Sequence, residues 1–386
     1  MPSWLPLLLG FLTAINPIST DMYLPAFPAI EAQFAGTVQV TLASWFVGLA
    51  IGQLVQGTLS DRFGRRGPLI VGTLIYTGAS VGCALANDMT TLAVFRFLAA
   101  IGASASSVIP RAVVRDLVTG LEATRIMSRL ILVMGAAPIL APSLGSLVLG
   151  FAGWRTIFWV MSAYGALSCA LVWWLLPDTL PVERRVQHGA AALLSGFGRV
   201  IVERAFITHA LMGAAMMFCI FAYVSGTPGV LIGRYGLSTT SFAVLFGLGS
   251  CSFIGGAQFN PMLVRRFGQG RVLTAAALGG VAATGLLVVA AITGLGGLWT
   301  LFPPVMATLA CASLIMPNSA VGALHRHGAR AGTASALMGT IQFSVAAVAS
   351  LLVGALNDGT AWPMAVVMLL GALMALAMDR LRPRQL

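Results

Sequence analysis

Along this chain long apolar runs alternate with short polar breaks. Runs of about 20 apolar residues fall at 4–27, 38–58, 68–87, 91–114, 127–150, 154–176, 205–231, 239–262, 272–293, 298–322, 331–355 and 361–379. Such a run, coiled as an α-helix rising 1.5 Å per residue, crosses the roughly 30 Å hydrocarbon core of a bilayer. Twelve runs predict twelve membrane spans, and an even number returns both chain ends to one side. The one long polar connection, 177–204, lies at the midpoint and carries Asp178, Glu183, Arg184, Arg185, His188, Arg199, Glu203 and Arg204. It reads as a linker between two six-helix bundles, 1–176 and 205–386. Within it, 190–202 is apolar enough to lie on the membrane surface as a short helix.

The polar breaks carry a repeat. Residues 52–66 read GQLVQGTLSDRFGRR and residues 256–271 read GAQFNPMLVRRFGQGR. Shifted by 204, Gly52 meets Gly256, and Arg62-Phe63-Gly64 meets Arg266-Phe267-Gly268. A shift of about half the chain predicts two halves built alike. The second copy has decayed, with Arg265 at the place of Asp61 and Pro261 at that of Gly57. A second echo, at a shift of 207, pairs 109–113 (IPRAV) with 316–320 (MPNSA) and exchanges Arg111 for Asn318.

Composition confirms the solvent. The chain is 58% hydrophobic and 9% charged, with mean hydropathy +0.92, too little polar surface for a water-soluble domain of 386 residues. The net charge of +11 does not mark a nucleic-acid binder. All 22 basic residues are arginine, and 19 of them fall in one alternating set of loops or at their helix ends. Arg155 and Arg234 lie in the opposite set, and Arg96 lies inside a span. This asymmetry predicts that both termini are cytoplasmic. Cys83, Cys169, Cys219, Cys251 and Cys311 lie in apolar spans without paired spacing and read as small buried hydrophobes. The start, MPSWLPLLLGF, reads as a retained first span.

Gly57, Asp61, Arg62, Gly64, Arg65 and Arg66 form a pattern that resembles motif A of the major facilitator superfamily. That resemblance implies a cytoplasmic loop between the second and third spans, an Asp116 placed to meet Arg65 beside Arg115, and a latch on the cytoplasmic side. It also implies the major facilitator fold: an all-α membrane protein whose twelve transmembrane helices form two pseudo-symmetric six-helix bundles.

Asp21 is the costliest residue in the chain. A carboxylate inside an apolar span costs at least about 2.5–3.5 kcal/mol on insertion scales, which makes it a candidate functional group. Counting from the span ends places Asp21 roughly 9 Å and Arg96 roughly 10 Å below the outer face, so the two opposite charges are expected to pair. The text TDMYLPAFP resembles the bicyclomycin and chloramphenicol resistance (Bcr/CflA) subfamily of drug:proton antiporters. Arg96-Phe97-Leu98 with Gly102 resembles the antiporters' motif B, with Ala99 where that subfamily often has glutamine. In the fifth span Gly135, Pro138, Ala141, Pro142 and Gly145 resemble the antiporter motif C, although the usual Gly-Pro is here Ala-Pro. Ala137, Ala141 and Gly145 recur every four residues and make a face flat enough for close helix contact.

The second half offers neutral and aromatic groups. Phe218, Tyr223, Asn318 and Gln342, with Tyr23, Asp21 and Arg96, are the expected substrate contacts. The reading is a proton-coupled exporter of small amphipathic drugs or metabolites in the bacterial inner membrane. It needs no cofactor or metal, binds no nucleic acid, acts as a monomer and has no enzymatic activity, since no His/Asp/Ser or metal set accompanies His209. Asp21 holds the proton and Arg96 favours its ionised form. The alternative is a carrier of a specific metabolite, or of copper(I) through Met212, Met216 and His209, since thioethers suit that ion.

Overall fold

The structure is a computed structural model that describes residues 4–118, 120–185, 197–198, 200–325 and 331–383. Among the described residues twelve helices are long and apolar enough to cross a membrane, and no strand occurs. They are α1 (Leu5–Gln33), α2 (Gln39–Phe63), α3 (Arg66–Leu85), α4 (Met89–Leu117), α5 (Arg125–Ala152) and α6 (Trp154–Leu175). After the linker come α7 (Arg204–Arg234), α8 (Thr239–Phe267), α9 (Gln269–Thr293), α10 (Leu298–Leu324), α11 (Gly332–Ala355) and α12 (Trp362–Leu381). The chain is an all-α, multi-pass membrane protein.

The first span is longer than its apolar run. The first span does not stop at Phe27 but runs on to Gln33. It is jointed: after Asp21 the helix gives way to a turn and a 3-10 segment, Leu24–Ala26, before Phe27–Gln33 restarts it. Pro25 and Pro28 sit in the first turns of those two pieces, where a missing N–H costs nothing. Proline here begins helices rather than ending them. The expected surface helix at 190–202 lies mostly outside the described residues.

Chain contacts divide the protein into two compact units, 1–188 and 189–386. Within the first, helices meet where side chains are absent. A Cβ at Gly48 would strike the Phe97 carbonyl, one at Gly52 the Ser104 hydroxyl, and one at Gly145 the Met22 carbonyl. The same device serves the second unit, where Gly256 of α8 lies against Ser313 of α10. Ser104 donates to the Ile101 carbonyl at 2.6 Å and Ser313 to that of Ala310 at 2.7 Å. With lipid outside, close backbone contact rather than hydrophobic contrast holds such helices together.

The repeat is also visible in the backbone. Gly64 ends α2 with φ +88° and Gly268 ends α8 with φ +82°. Both hold a left-sided conformation that only glycine adopts without strain.

Two expectations are corrected. Met212 and Met216 are fully buried, packed with Leu273, Ala276, Ile315 and Ala372 in the core of the second unit. The His209 ring, whose Nδ1 lies 2.8 Å from the Ala205 carbonyl, fills the space beside Gly322. This face packs into the core of the second unit, which argues against an open copper(I) path along it. The cysteines are free but not uniformly buried: Cys83 and Cys219 are, Cys169 and Cys311 are half-buried, and Cys251 is exposed. In a membrane helix the outward face is as apolar as the inward one, so hydropathy does not sort the two.

Candidate functional site

The turn between α2 and α3 is built around one arginine. Arg65 is 4% exposed, and its Nε donates to Asp116 Oδ2 at 2.7 Å. Its Nη1 donates to Asp61 Oδ1 at 2.5 Å and to the Ser60 hydroxyl at 2.9 Å. Burial disfavours the Arg65 cation, but its bonds to Asp116 and Asp61 prevail and raise its pKa above the ordinary arginine value. Asp116, at the end of α4, also accepts from the Thr179 hydroxyl at 3.3 Å.

Asp178 completes the cluster. It lies just after α6, and its Oδ1 accepts the Arg65 backbone N–H at 2.8 Å. Its Oδ2 accepts from Arg185 at 2.9 Å. A Cβ at Gly64 would occupy the space of this carboxylate, so the glycine is required by contact as well as by φ. In the sequence Asp178 stands only as one of several charged residues in the long polar connection. The available signal was a carboxylate at the end of a span that finishes on the same side as the α2–α3 turn.

The remaining residues of this loop are peripheral. Arg62 lies over the Phe63 ring at 5.3 Å, and Arg66 donates to the Trp173 carbonyl at 2.5 Å. Arg115 is exposed, and Gly57 has only the Val108 methyl near its missing Cβ.

The second locus lies in α1 and α4. Asp21 is 6% exposed and makes no ion pair or hydrogen bond among the described residues. Asn16 Nδ2 donates to the Ala103 carbonyl at 3.2 Å and so sets the register of α1 against α4. From that bond Asp21 lies five residues outward and Arg96 seven, which puts them within about 3 Å in depth. The depth match holds; the expected ion pair does not. Arg96, 1% exposed, has its guanidinium carbon 4.3 Å from the Tyr23 ring, 4.3 Å from the Trp45 ring and 6.0 Å from Phe158. Its Nε and Nη2 have no hydrogen-bond partner. The physical reason is azimuth. Arg96 faces Tyr23, which lies past the break in α1 that follows Asp21, so the two residues do not share one helical face. Trp45 was overlooked, although it stands six residues into α2 as Arg96 stands seven into α4.

Motif C residues make a packing face. Ala137, Ala141 and Gly145 are buried along α5, with Gly145 against Met22 at the joint of α1. Pro138 and Pro142 lie inside the helix, one turn apart, and Gly135 begins this stretch.

In the second unit Tyr223 stacks on Phe246 with ring centroids 5.5 Å apart, and borders an apolar cavity with Thr227, Leu231, Leu301, Val305 and Met364. Phe218 packs beside Gly371, and Gln342 and Ser319 both border the space beside Gly213. Asn318 is already engaged. Its Nδ2 donates to Asn260 Oδ1 at 2.6 Å and to the Leu314 carbonyl at 2.8 Å, so both amide hydrogens are used inside the unit. A buried carboxylate here also escaped the sequence reading. Asp379 of α12 accepts from Thr274 at 2.8 Å and from Arg382 at 2.7 Å.

The family model described as Major Facilitator Superfamily matches residues 9–350. The chain is similar to the MFS-type transporter YdgK of Bacillus subtilis, 36% identical over 95% of this chain and 92% of that protein. It is similar to the chloramphenicol resistance protein of Pseudomonas aeruginosa, 31% identical over 97% and 89% of the two chains. With the bicyclomycin resistance protein homolog of Haemophilus influenzae it shares 29% identity over 94% and 92%. Among solved structures, a D-xylose-proton symporter matches with a TM-score of 0.74 at 17% identity, over 98% of this chain and 97% of that one. That likeness speaks to the fold alone.

Proposed function

The chain belongs to the major facilitator superfamily, and from that premise we propose that it exports small amphipathic drugs or metabolites in exchange for protons. Membership makes it a membrane transporter, and relatives named for bicyclomycin and chloramphenicol resistance support the outward direction. Asp21 carries the coupling reading. It is a buried acid in the first span with neither an ion pair nor a hydrogen bond among the described residues. A lone buried carboxylate favours its protonated form, and a proton held there is available for exchange.

On this reading Arg96 is the cation that answers Asp21 when the proton leaves. Tyr23, Phe218, Tyr223 and Gln342 offer an aromatic and amide lining for ligands of varied shape. Asn318 takes a supporting place, because its amide is spent on Asn260 and Leu314. Asp61, Arg65, Asp116 and Asp178 form the latch that is made and broken as the two bundles alternate. The arginine asymmetry favours cytoplasmic termini and the bacterial inner membrane, with 177–204 as the linker between bundles 1–176 and 205–386 and a monomer as the working unit. A carrier for one specific metabolite is the remaining alternative.

The experiment is export of a fluorescent dye from cells producing wild type or Asp21→Asn, with and without a proton gradient. The isostere should leave the protein in the membrane and abolish gradient-driven export. Full gradient-dependent export by Asp21→Asn would refute the coupling role.

A further inference from the structure

Arg96 is a buried cation whose stabilisation comes from aromatic faces. Tyr23 of α1 and Trp45 of α2 sandwich its guanidinium at 4.3 Å each, and Phe158 of α6 stands at 6.0 Å. Ring quadrupoles attract a cation without accepting its N–H groups in the plane of the fork. Nε and Nη2 therefore stay without partners, in a place where buried donors normally find them. At nearly the same depth lies a buried acid, Asp21, without a partner of its own. Open donors and an open acceptor are thus held apart. Tyr23, which offers one face to the guanidinium, lies in the joint of α1, where the helix breaks between Asp21 and Leu24.

We infer that Tyr23, Trp45 and Phe158 form a parking site for Arg96, which it leaves for the Asp21 carboxylate when that acid gives up its proton. Trp45 and Phe158 are then positioning residues for proton coupling. The inference rests on the reading of Asp21 as the proton carrier. A protonated Asp21 carries no charge to draw the guanidinium away, so the aromatic faces hold it. An ionised Asp21 is a lone buried charge, strongly disfavoured until a cation answers it, and Arg96 brings two unused N–H groups to a bidentate acceptor. The strength of the aromatic grip thus sets how readily the proton leaves.

The charges at this end of the helices are Glu31 near the end of α1, Asp88 before α4 and Arg155 at the start of α6, while Arg111, Arg115 and Asp116 lie toward the other end of α4. Tyr23 of α1, whose hydroxyl also hydrogen-bonds Arg96, and Tyr76 and Cys83 of α3 are among the titratable groups that interact with Arg96. From α2 and α6 it is faced by Trp45 and Phe158. Asp61 and Arg62 of α2, and Glu122, Arg125 and Arg129 on the α5 side, lie at the opposite, arginine-rich ends of their helices.

The test follows the carboxylic acid C=O stretch of Asp21 by infrared difference spectroscopy on the purified full chain, titrated with pH. The band is the one that Asp21→Asn removes, and no ligand is needed. Trp45→Leu weakens the grip, so Arg96 reaches Asp21 more easily and the midpoint should fall by about one pH unit, the scale of one desolvated cation–π contact. Trp45→Phe keeps a ring face and should restore at least half of that shift. Phe158→Leu removes the more distant ring and should give a smaller shift in the same direction, and it carries the test if Trp45→Leu does not accumulate as folded protein. Unchanged midpoints, or a rise in either Leu variant, overturn the parking site. A band for Asp21 that titrates while Asp21→Asn still exports dye with the gradient would instead overturn the coupling reading, which tells the two failures apart.

Discussion

Replacing Arg65 and Asp116 singly and together by alanine tests whether the α2–α3 turn is held by one bond or by a diffuse field of charge. Arg65 meets two carboxylates in unlike settings. The side chain of Asp116 is 17% exposed and takes the Nε–H at 2.7 Å, while that of Asp61 is 51% exposed and takes an Nη1–H at 2.5 Å. A charge-assisted bond shielded from water contributes about 1.5–3 kcal/mol, whereas a half-exposed pair contributes under about 1 kcal/mol. The Arg65/Asp116 cycle should therefore show a coupling of about 1.5–3 kcal/mol, and the Arg65/Asp61 cycle less than about 1 kcal/mol. Reversible unfolding of the purified protein in mixed micelles supplies the four stabilities each cycle needs, and the cycle cancels losses that belong to one residue alone, such as the Thr179 bond to Asp116. Raising the salt concentration should reduce the Asp61 coupling and leave that of Asp116 nearly intact. Equal couplings, or two couplings that fall together with salt, would refute the assignment of Asp116 as the principal partner.

Gly145→Ala places a methyl where the Met22 carbonyl stands, and should destabilise the protein by about 1–3 kcal/mol; Gly150→Ala on the same helix meets open space and serves as the control in a thermal-shift assay. Asp88 caps α4 by accepting the Thr91 N–H at 2.8 Å, and this bond, with that of the Thr91 hydroxyl, lowers its pKa from the ordinary 3.8. Because the folded value is the lower one, its contribution is present above that ordinary value and is lost as the pH falls below it. Asp88→Asn should flatten the acid limb of a stability–pH curve over that window.

The helices were legible because a bilayer demands long apolar runs and tolerates few exceptions. Their number and order followed from hydropathy, and the Arg65–Asp116 bond was implied by the resemblance to motif A. What stayed hidden depends on the angle around a helix axis. Depth is linear in residue number, so the level match of Asp21 and Arg96 could be counted. Whether two side chains face each other depends on helix rotation, and in α1 the joint after Asp21 resets that rotation. Met212 and Met216 show the same limit, since a spacing of four places both on one stripe without saying that the stripe faces core. Asp178 and Asp379 were missed for a different reason: both lie at span ends, where a charge is unremarkable in sequence, and only packing shows that it is used.

The two halves share a backbone and differ in its chemistry. At the shift of 204, Arg65 corresponds to Gln269, and Gln56 to Asn260; at the shift of 207, Arg111 corresponds to Asn318. In the second unit those three residues form their own network. Gln269 donates to the Asn318 carbonyl at 2.7 Å, and Asn318 donates to Asn260 at 2.6 Å. Amides thus bind the α8–α9 turn to α10, at positions that correspond in sequence to those where carboxylates and a guanidinium bind the α2–α3 turn to α4. The glycine that shapes each turn is retained at φ +88° and +82°, so the decay of the repeat spared the geometry and removed the charge. Neutral hydrogen bonds gain little from ionisation and are nearly indifferent to salt, whereas the Arg65 cluster depends on both. The charged turn of the first unit is therefore the one whose strength depends on its ionic surroundings, and the amide turn of the second unit is the one whose strength does not.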